Sequence, residues 1–315
     1  GERYFGAIDM VTSDMSEALA GADVVMVVVP ATGHRNIAAL CAPHLQDGQI
    51  IVLNPGRTCG AMEFRQVLRD QGCGARVLVA EAESFIFASR SVGPAEAKIF
   101  RTKNAVPLAA LPATDTPKVM AALKLAYPQF IPAKNVLHTS LDNMGAVFHP
   151  ALIILNSARI ESTRGNFEFY IEGVTPTVAH ILEVVDRERV TVAAALGIRA
   201  LTAVEWLHTA YAAVGDNLYE AIQANPGYRG IKAPRSLHHR YIIEDVPMSL
   251  VPIAALGARF GVSTRAIDAL INLASILHRT DYHRHGRTLD KLGLQHLSVT
   301  EITRYVEEGE LEAGL

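Results

Sequence analysis

The run Asp23-Val24-Val25-Met26-Val27-Val28-Val29 is apolar at consecutive positions, so both faces of the strand it forms avoid water. That pattern suits a strand buried between two helical layers. Similar apolar runs return at residues 49–54 and 76–80. Between them the period lengthens. Ile37, Leu40, Cys41 and Leu45 fall near helical spacing within residues 34–45, and residues 61–70 predict another helix. Ser13-Asp14 can cap a short helix over 15–20 that Gly21 ends, while Asp47-Gly48 and Pro55-Gly56 supply turns. Strand and helix alternating at such short spacing predict a doubly wound layer. Residues 94–133 extend it with short strands and a helix over 117–126.

From about residue 135 the texture changes. Residues 150–160 are strongly apolar, and Thr175-Pro176 places an N-cap before a proline at the first helical position. The helix behind it runs to Leu196, with an apolar stripe at Val178, Ile181, Leu182, Val185, Val192 and Leu196. Helical spacing recurs over residues 200–214, 250–260 and 264–277. The expected fold class is α/β + α. A partial doubly wound, Rossmann-like parallel-sheet domain (residues 1–134) precedes an all-helical catalytic domain (residues 135–315).

Composition narrows the function more than the fold. The 315 residues carry 29 Lys and Arg against 32 Asp and Glu, a near-balance that argues against a nucleic-acid or anionic-membrane binder. No uninterrupted apolar run approaches the ~18 residues of a membrane span, and the first residues lack a signal-peptide core. Cys41, Cys59 and Cys73 show no paired spacing, so reduced thiols and a cytoplasmic setting are expected.

An α/β half before a helical half suggests a dinucleotide enzyme, yet there is no G-x-G-x-x-G. Gly72-Cys73-Gly74 fails at the third glycine and precedes a strand. Either the chain binds no dinucleotide, or the first strand–turn–helix lies ahead of Gly1; the second is the expectation.

Among twelve histidines, His149 stands out, placed before Pro150 at the junction of the halves, where small-molecule sites concentrate. Asn156 lies seven residues on, on the same helical face. The plainer alternative is a histidine at a helix start making a local hydrogen bond. In His239-Arg240-Tyr241-Ile242-Ile243-Glu244-Asp245-Val246-Pro247, a carboxylate between Ile243 and Val246 needs a partner if buried. A histidine would serve, and Arg240 offers a planar fork for a substrate carboxylate. An internal Arg240–Asp245 ion pair is the alternative. Glu81 and Glu83 follow a strand end, as an acid–base pair or a solvated one. His283-Arg284-His285 is expected to be an exposed basic loop, no metal is expected, and Trp206 falls in an apolar helix pattern as a core residue.

Taken together, several stretches resemble the opine dehydrogenase family of octopine/nopaline type. They are Val24-Val25-Met26-Val27-Val28-Val29-Pro30-Ala31, Leu53-Asn54-Pro55-Gly56-Arg57-Thr58, Phe148-His149-Pro150-Ala151, Tyr170-Ile171-Glu172-Gly173-Val174-Thr175-Pro176, His239-Arg240-Tyr241 with Glu244-Asp245-Val246-Pro247, and Gly286-Arg287-Thr288. The resemblance implies reductive condensation of an amino acid's amine with a 2-oxo acid, often pyruvate, using NADH or NADPH. It implies His149 and Asp245 as the catalytic pair, with Arg240 and Asn143 binding substrate. Val29, Pro30, Ala31 and Asn54 would lie along the cofactor. The expected partners are these small molecules, without nucleic acid or membrane, and the helical faces allow a homodimer. A 2-hydroxy-acid or ketopantoate-type reductase, or a non-catalytic fragment, are the alternatives.

Overall fold

The structure is a computed structural model that describes residues 3–309. Its main sheet has five strands in the order β1-β2-β3-β6-β7: β1 (Val24–Val27), β2 (Ile50–Leu53), β3 (Leu78–Ala82), β6 (Val106–Leu111) and β7 (Phe130–Pro132). A separate hairpin pairs β4 (Phe87–Gly93) with β5 (Glu96–Thr102). The β1–β2 and β2–β3 pairs are parallel and joined through the His34–Cys41 and Gly60–Asp70 helices, as the alternating period predicts.

The parallel-sheet, doubly wound expectation holds, with one antiparallel pair inside it. β3 and β6 are antiparallel, because the chain leaves β3 into the exposed hairpin and returns without a helical crossover. A parallel neighbour requires such a crossover. The valine run is also shorter as a strand than its composition suggests. β1 is the edge of the sheet among the described residues, and Val28 beyond its end is 56% exposed.

Side chains on the two faces of the inner strands enter different cores. Ile50, Val52, Leu78 and Ala80 pack with Leu108, Ala110 and the Thr116–Leu123 helix. Ile51, Leu53 and Val79 join the apolar mass that runs through the helical half. Consecutive apolar positions are therefore explained by two buried faces, each taking alternate residues.

In the helical half, Thr175 Oγ1 accepts from Val178 N and caps the 20-residue Pro176–Ala195 helix, as the Thr-Pro pair predicts. The helical stretch Arg240–Arg259 has the length and hydropathy to cross a membrane, but 78% of its apolar window is buried inside the fold. It packs as a core element. His283-Arg284-His285 is exposed as expected, though it forms part of a short helical turn, Tyr282–His285, and not a loop.

Candidate active site

The fold brings together three segments that are far apart in sequence. His149 lies inside the Met144–Leu155 helix, more than one turn past its start, which corrects the alternative of a helix-start histidine. Asp245 sits where the Arg240–Ile243 helix gives way to a wider π turn over Val246–Leu250. Pro247 and Pro252 remove two backbone donors in this stretch, so the regular ladder cannot continue unbroken. Arg57 arrives from the loop that leaves β2.

His149 Nδ1 lies 2.8 Å from Asp245 Oδ2. An ionised carboxylate only accepts, so Nδ1 carries a proton, and in the neutral ring Nε2 is the nitrogen that keeps its lone pair. The imidazole stacks on Tyr241, ring centroids 3.9 Å apart and planes 15° apart, which fixes the ring's tilt. Asp245 is completely buried, whereas the His149 side chain keeps 17% of its surface exposed. Burial would push the Asp245 carboxyl up. The Arg57 guanidinium and His149 outweigh it and hold the group below the usual carboxylate range.

Arg57 Nη1 stands 3.3 Å from Asp245 Oδ1, and its Nε donates to Glu244 Oε1 at 3.1 Å. The alternative of an internal Arg240–Asp245 ion pair is not what forms. Arg240 Nε instead donates to Glu244 Oε2 at 3.0 Å, leaving its side chain 40% exposed. Nothing in the sequence pattern singled out Arg57 or Glu244 for a role, because their partnership spans 187 residues.

The other anticipated residues divide. Ala31 follows β1, and its N–H donates to Glu244 Oε1, so it ties the halves together and offers no free donor. Val29 is partly buried and Pro30 exposed beside it. Asn54, at the end of β2, is buried, and its Oδ1 has no hydrogen-bond partner among the described residues. Asn143 is buried, its Nδ2 donating to Ser249 Oγ at 2.8 Å, which ties the start of the His149 helix to the π turn. Asn156 ends the His149 helix and donates to Leu152 O and Gly173 O, a structural duty.

Glu81 and Glu83 are neither a solvated pair nor alike. Glu81 is fully buried and accepts from Thr139 Oγ1, Ser140 Oγ and Ala61 N. Gly56 passes so close that a Cβ there would meet Glu81 Oε2 at 2.5 Å, which explains a glycine in the β2 loop. Glu83 instead borders a cavity of about 260 Å³ lined from both halves, by Lys103, Pro107, Ile131, Leu201, Trp206 and Tyr211 among others. Burial, and then Asp142, push its carboxyl up to about 7, although Trp206 Nε1 donates to it at 3.3 Å. Trp206 is therefore a wall of this cavity and only half-buried, not a plain core residue.

Comparison with known proteins agrees with this geometry. Residues 132–278 match the family model described as NAD/NADP octopine/nopaline dehydrogenase, alpha-helical domain. The opine dehydrogenase of Arthrobacter sp. (strain 1C) is 42% identical over 299 residues, covering 95% of this chain and 83% of that protein. A structure of octopine dehydrogenase with NADH and L-arginine superposes with a TM-score of 0.80 at 23% identity, over 98% of this chain and 83% of that one. Yersinopine dehydrogenase with NADP+ bound gives a TM-score of 0.71 at 15% identity, over 96% of this chain and 82% of that one. By its 42% identity to a relative matched over most of both chains, this chain belongs to the opine dehydrogenase family.

Proposed function

We propose that this chain is an NAD(P)H-dependent opine dehydrogenase, joining the amine of an amino acid to a 2-oxo acid such as pyruvate by reductive condensation. The observation that carries the reading is the 2.8 Å His149–Asp245 contact, set against loops that leave the carboxyl ends of parallel strands β1 and β2. Ligands of open α/β sheets bind at that edge. We place the boundary between the cofactor-binding and catalytic domains at residues 134/135.

The residues present fit a nicotinamide cofactor. The unpartnered, buried Oδ1 of Asn54 is an acceptor waiting for a donor such as a carboxamide N–H, and Val29 and Pro30 would flank the same edge. Bound there, NAD(P)H would supply the hydride. The chain's own groups move protons and hold charge. His149 Nε2 takes the proton released as the amine adds to the carbonyl, then returns one to the departing hydroxyl. Asp245 holds the ring in the required tautomer and steadies the imidazolium. Arg240, anchored through Nε, keeps its outer guanidinium edge for a substrate carboxylate. The cavity beside Glu83 and Trp206 takes the side chain of the amino donor.

The test is oxidation of NADH or NADPH with pyruvate, with and without a panel of amino acids. Turnover is expected only when both substrates are present. Oxidation with the 2-oxo acid alone would overturn the reading in favour of a 2-hydroxy-acid or ketopantoate-type reductase.

Glu83 adds a pH signature. With its carboxyl pushed up to about 7, it becomes negative as pH rises through neutrality. The KM of a cationic donor should therefore fall between pH 6 and 8, and that of an apolar donor should rise. Glu83→Gln should flatten both trends, a result read from KM-against-pH curves of the two enzymes.

A further inference from the structure

We propose that Arg57 is a positioning residue that completes the acid–base pair from the opposite half of the molecule, setting the charge that the His149–Asp245 couple works against. The inference rests on the opine dehydrogenase reading and adds to it a residue with no role assigned so far.

Three observations support it. First, Asp245 Oδ1 is buried and accepts no hydrogen bond among the described residues; Arg57 Nη1 at 3.3 Å is its ion-pair partner. His149 occupies the other oxygen. The buried carboxylate is thus held ionised by one group that reacts and one that does not.

Second, the space for the guanidinium is kept open by Gly145. A Cβ at that position would stand 2.7 Å from Arg57 Nη1 and 3.3 Å from Asp245 Oδ1. Arg57 cannot retreat easily, because its Nε is bound to Glu244 and its backbone sits at φ 60°, a conformation non-glycine residues rarely adopt. The neighbouring Thr58 N is tied to Met248 O, which keeps the loop against the helical half.

Third, the charges facing the pair are unequal in origin. Arg240, Glu244, Tyr241 and His239 all come from the segment carrying Asp245, His149 comes from the Met144–Leu155 helix, Tyr170 is electrostatically coupled from its own loop, and Arg90 of the β4 hairpin acts on His239 and Tyr241. Arg57 is the cation delivered from the cofactor-side loop, next to Asn54. Proton affinity at the catalytic pair is therefore coupled to how that loop is seated.

The experiment uses the full chain and the opine that the wild-type enzyme itself makes. The pH profile of kcat/KM for oxidation of that opine with NAD(P)+ is recorded, and each variant's melting curve establishes that it is folded. Removing a cation strengthens proton binding nearby, so Arg57→Gln should raise the apparent pKa of the profile by about one unit, roughly tenfold in proton affinity. Removing the anion with Glu244→Gln should lower it. Gly145→Ala alters no charge, yet by displacing the guanidinium it should shift the profile in the same direction as Arg57→Gln. Arg57→Lys keeps the charge and should leave the profile within ~0.3 unit while lowering kcat.

If Arg57→Gln and Gly145→Ala lower kcat with an unmoved profile, Arg57 is only a structural tie and the proposal is wrong. A shift of Glu244→Gln in the same direction as Arg57→Gln overturns it too. Should Arg57→Gln not fold, Gly145→Ala and Arg57→Lys decide the matter between them. A wild-type enzyme that makes no opine sinks the underlying reading instead, which separates the two failures.

Discussion

His149→Ala is expected to lower kcat by ~10²–10⁴ while the protein stays folded, with Asp245→Asn falling in the same range. The side chain keeps 17% of its surface exposed and rests on Tyr241 from one face, so its removal opens a cleft wall and not a sealed cavity. The structural cost comes from Asp245 Oδ2, which loses its hydrogen-bond partner in a fully buried site. An unsatisfied buried acceptor costs about 1–3 kcal/mol, tempered here by Arg57 on the other oxygen. Activity and stability should therefore separate: a large drop in turnover beside a small drop in melting temperature. Asp245→Asn works differently, since an amide in place of the carboxylate can present a donor to Nδ1 and favour the wrong tautomer. Steady-state kinetics with both substrates saturating checks the pair. Near-wild-type turnover in His149→Ala would remove this couple from the mechanism.

The sequence discloses these two residues for a physical reason. Each lies in a local pattern that is hard to explain otherwise: a polar ring among apolar helix positions, and a carboxylate between Ile243 and Val246. The same holds for the inner strands, where consecutive apolar residues report two buried faces. What local pattern does not disclose is the partner across space. Arg57 and Arg287 look like ordinary loop arginines until the fold delivers them to Glu244, Asp245 and Glu63. Glu81 and Glu83 sit two residues apart and look equivalent, yet one is locked by three donors and the other edges a cavity. The antiparallel β6 was hidden likewise, because strand direction depends on how the chain travels between strands and not on the strand's own residues.

Arg287→Ala should cause the largest loss of stability of any single change in the interface, about 3–5 kcal/mol. Its side chain comes from the helical half and is wholly buried among groups of the sheet half. Nε donates to Glu63 Oε2 at 2.7 Å, and Nη1 donates to Gly56 O and Thr58 O, each at 2.9 Å. Nη2 donates to His34 Nδ1 at 2.9 Å. Burial, with the charges of Arg287 and Arg57, drives His34 down to about 2, so its ring is neutral and able to accept. Truncating Arg287 strands the Glu63 carboxylate, whose remaining ionic neighbour is Arg35 at 4.0 Å. With domain stabilities of about 5–15 kcal/mol, that loss is a large fraction of the whole. The urea midpoint should fall sharply with little change in slope. A second variant tells which part of the loss is electrostatic. Arg287→Met combined with Glu63→Gln leaves no uncompensated charge and restores some volume, so it should recover a substantial part of the midpoint. Equal loss in the double variant would instead assign the cost to the unpaired carbonyls of Gly56 and Thr58. Those carbonyls flank Arg57, so either route should also loosen the loop that faces Asp245. Turnover of Arg287→Ala is then expected to fall even at temperatures where the protein remains folded, because the interface that holds the molecule together also holds the His149–Asp245 pair in place.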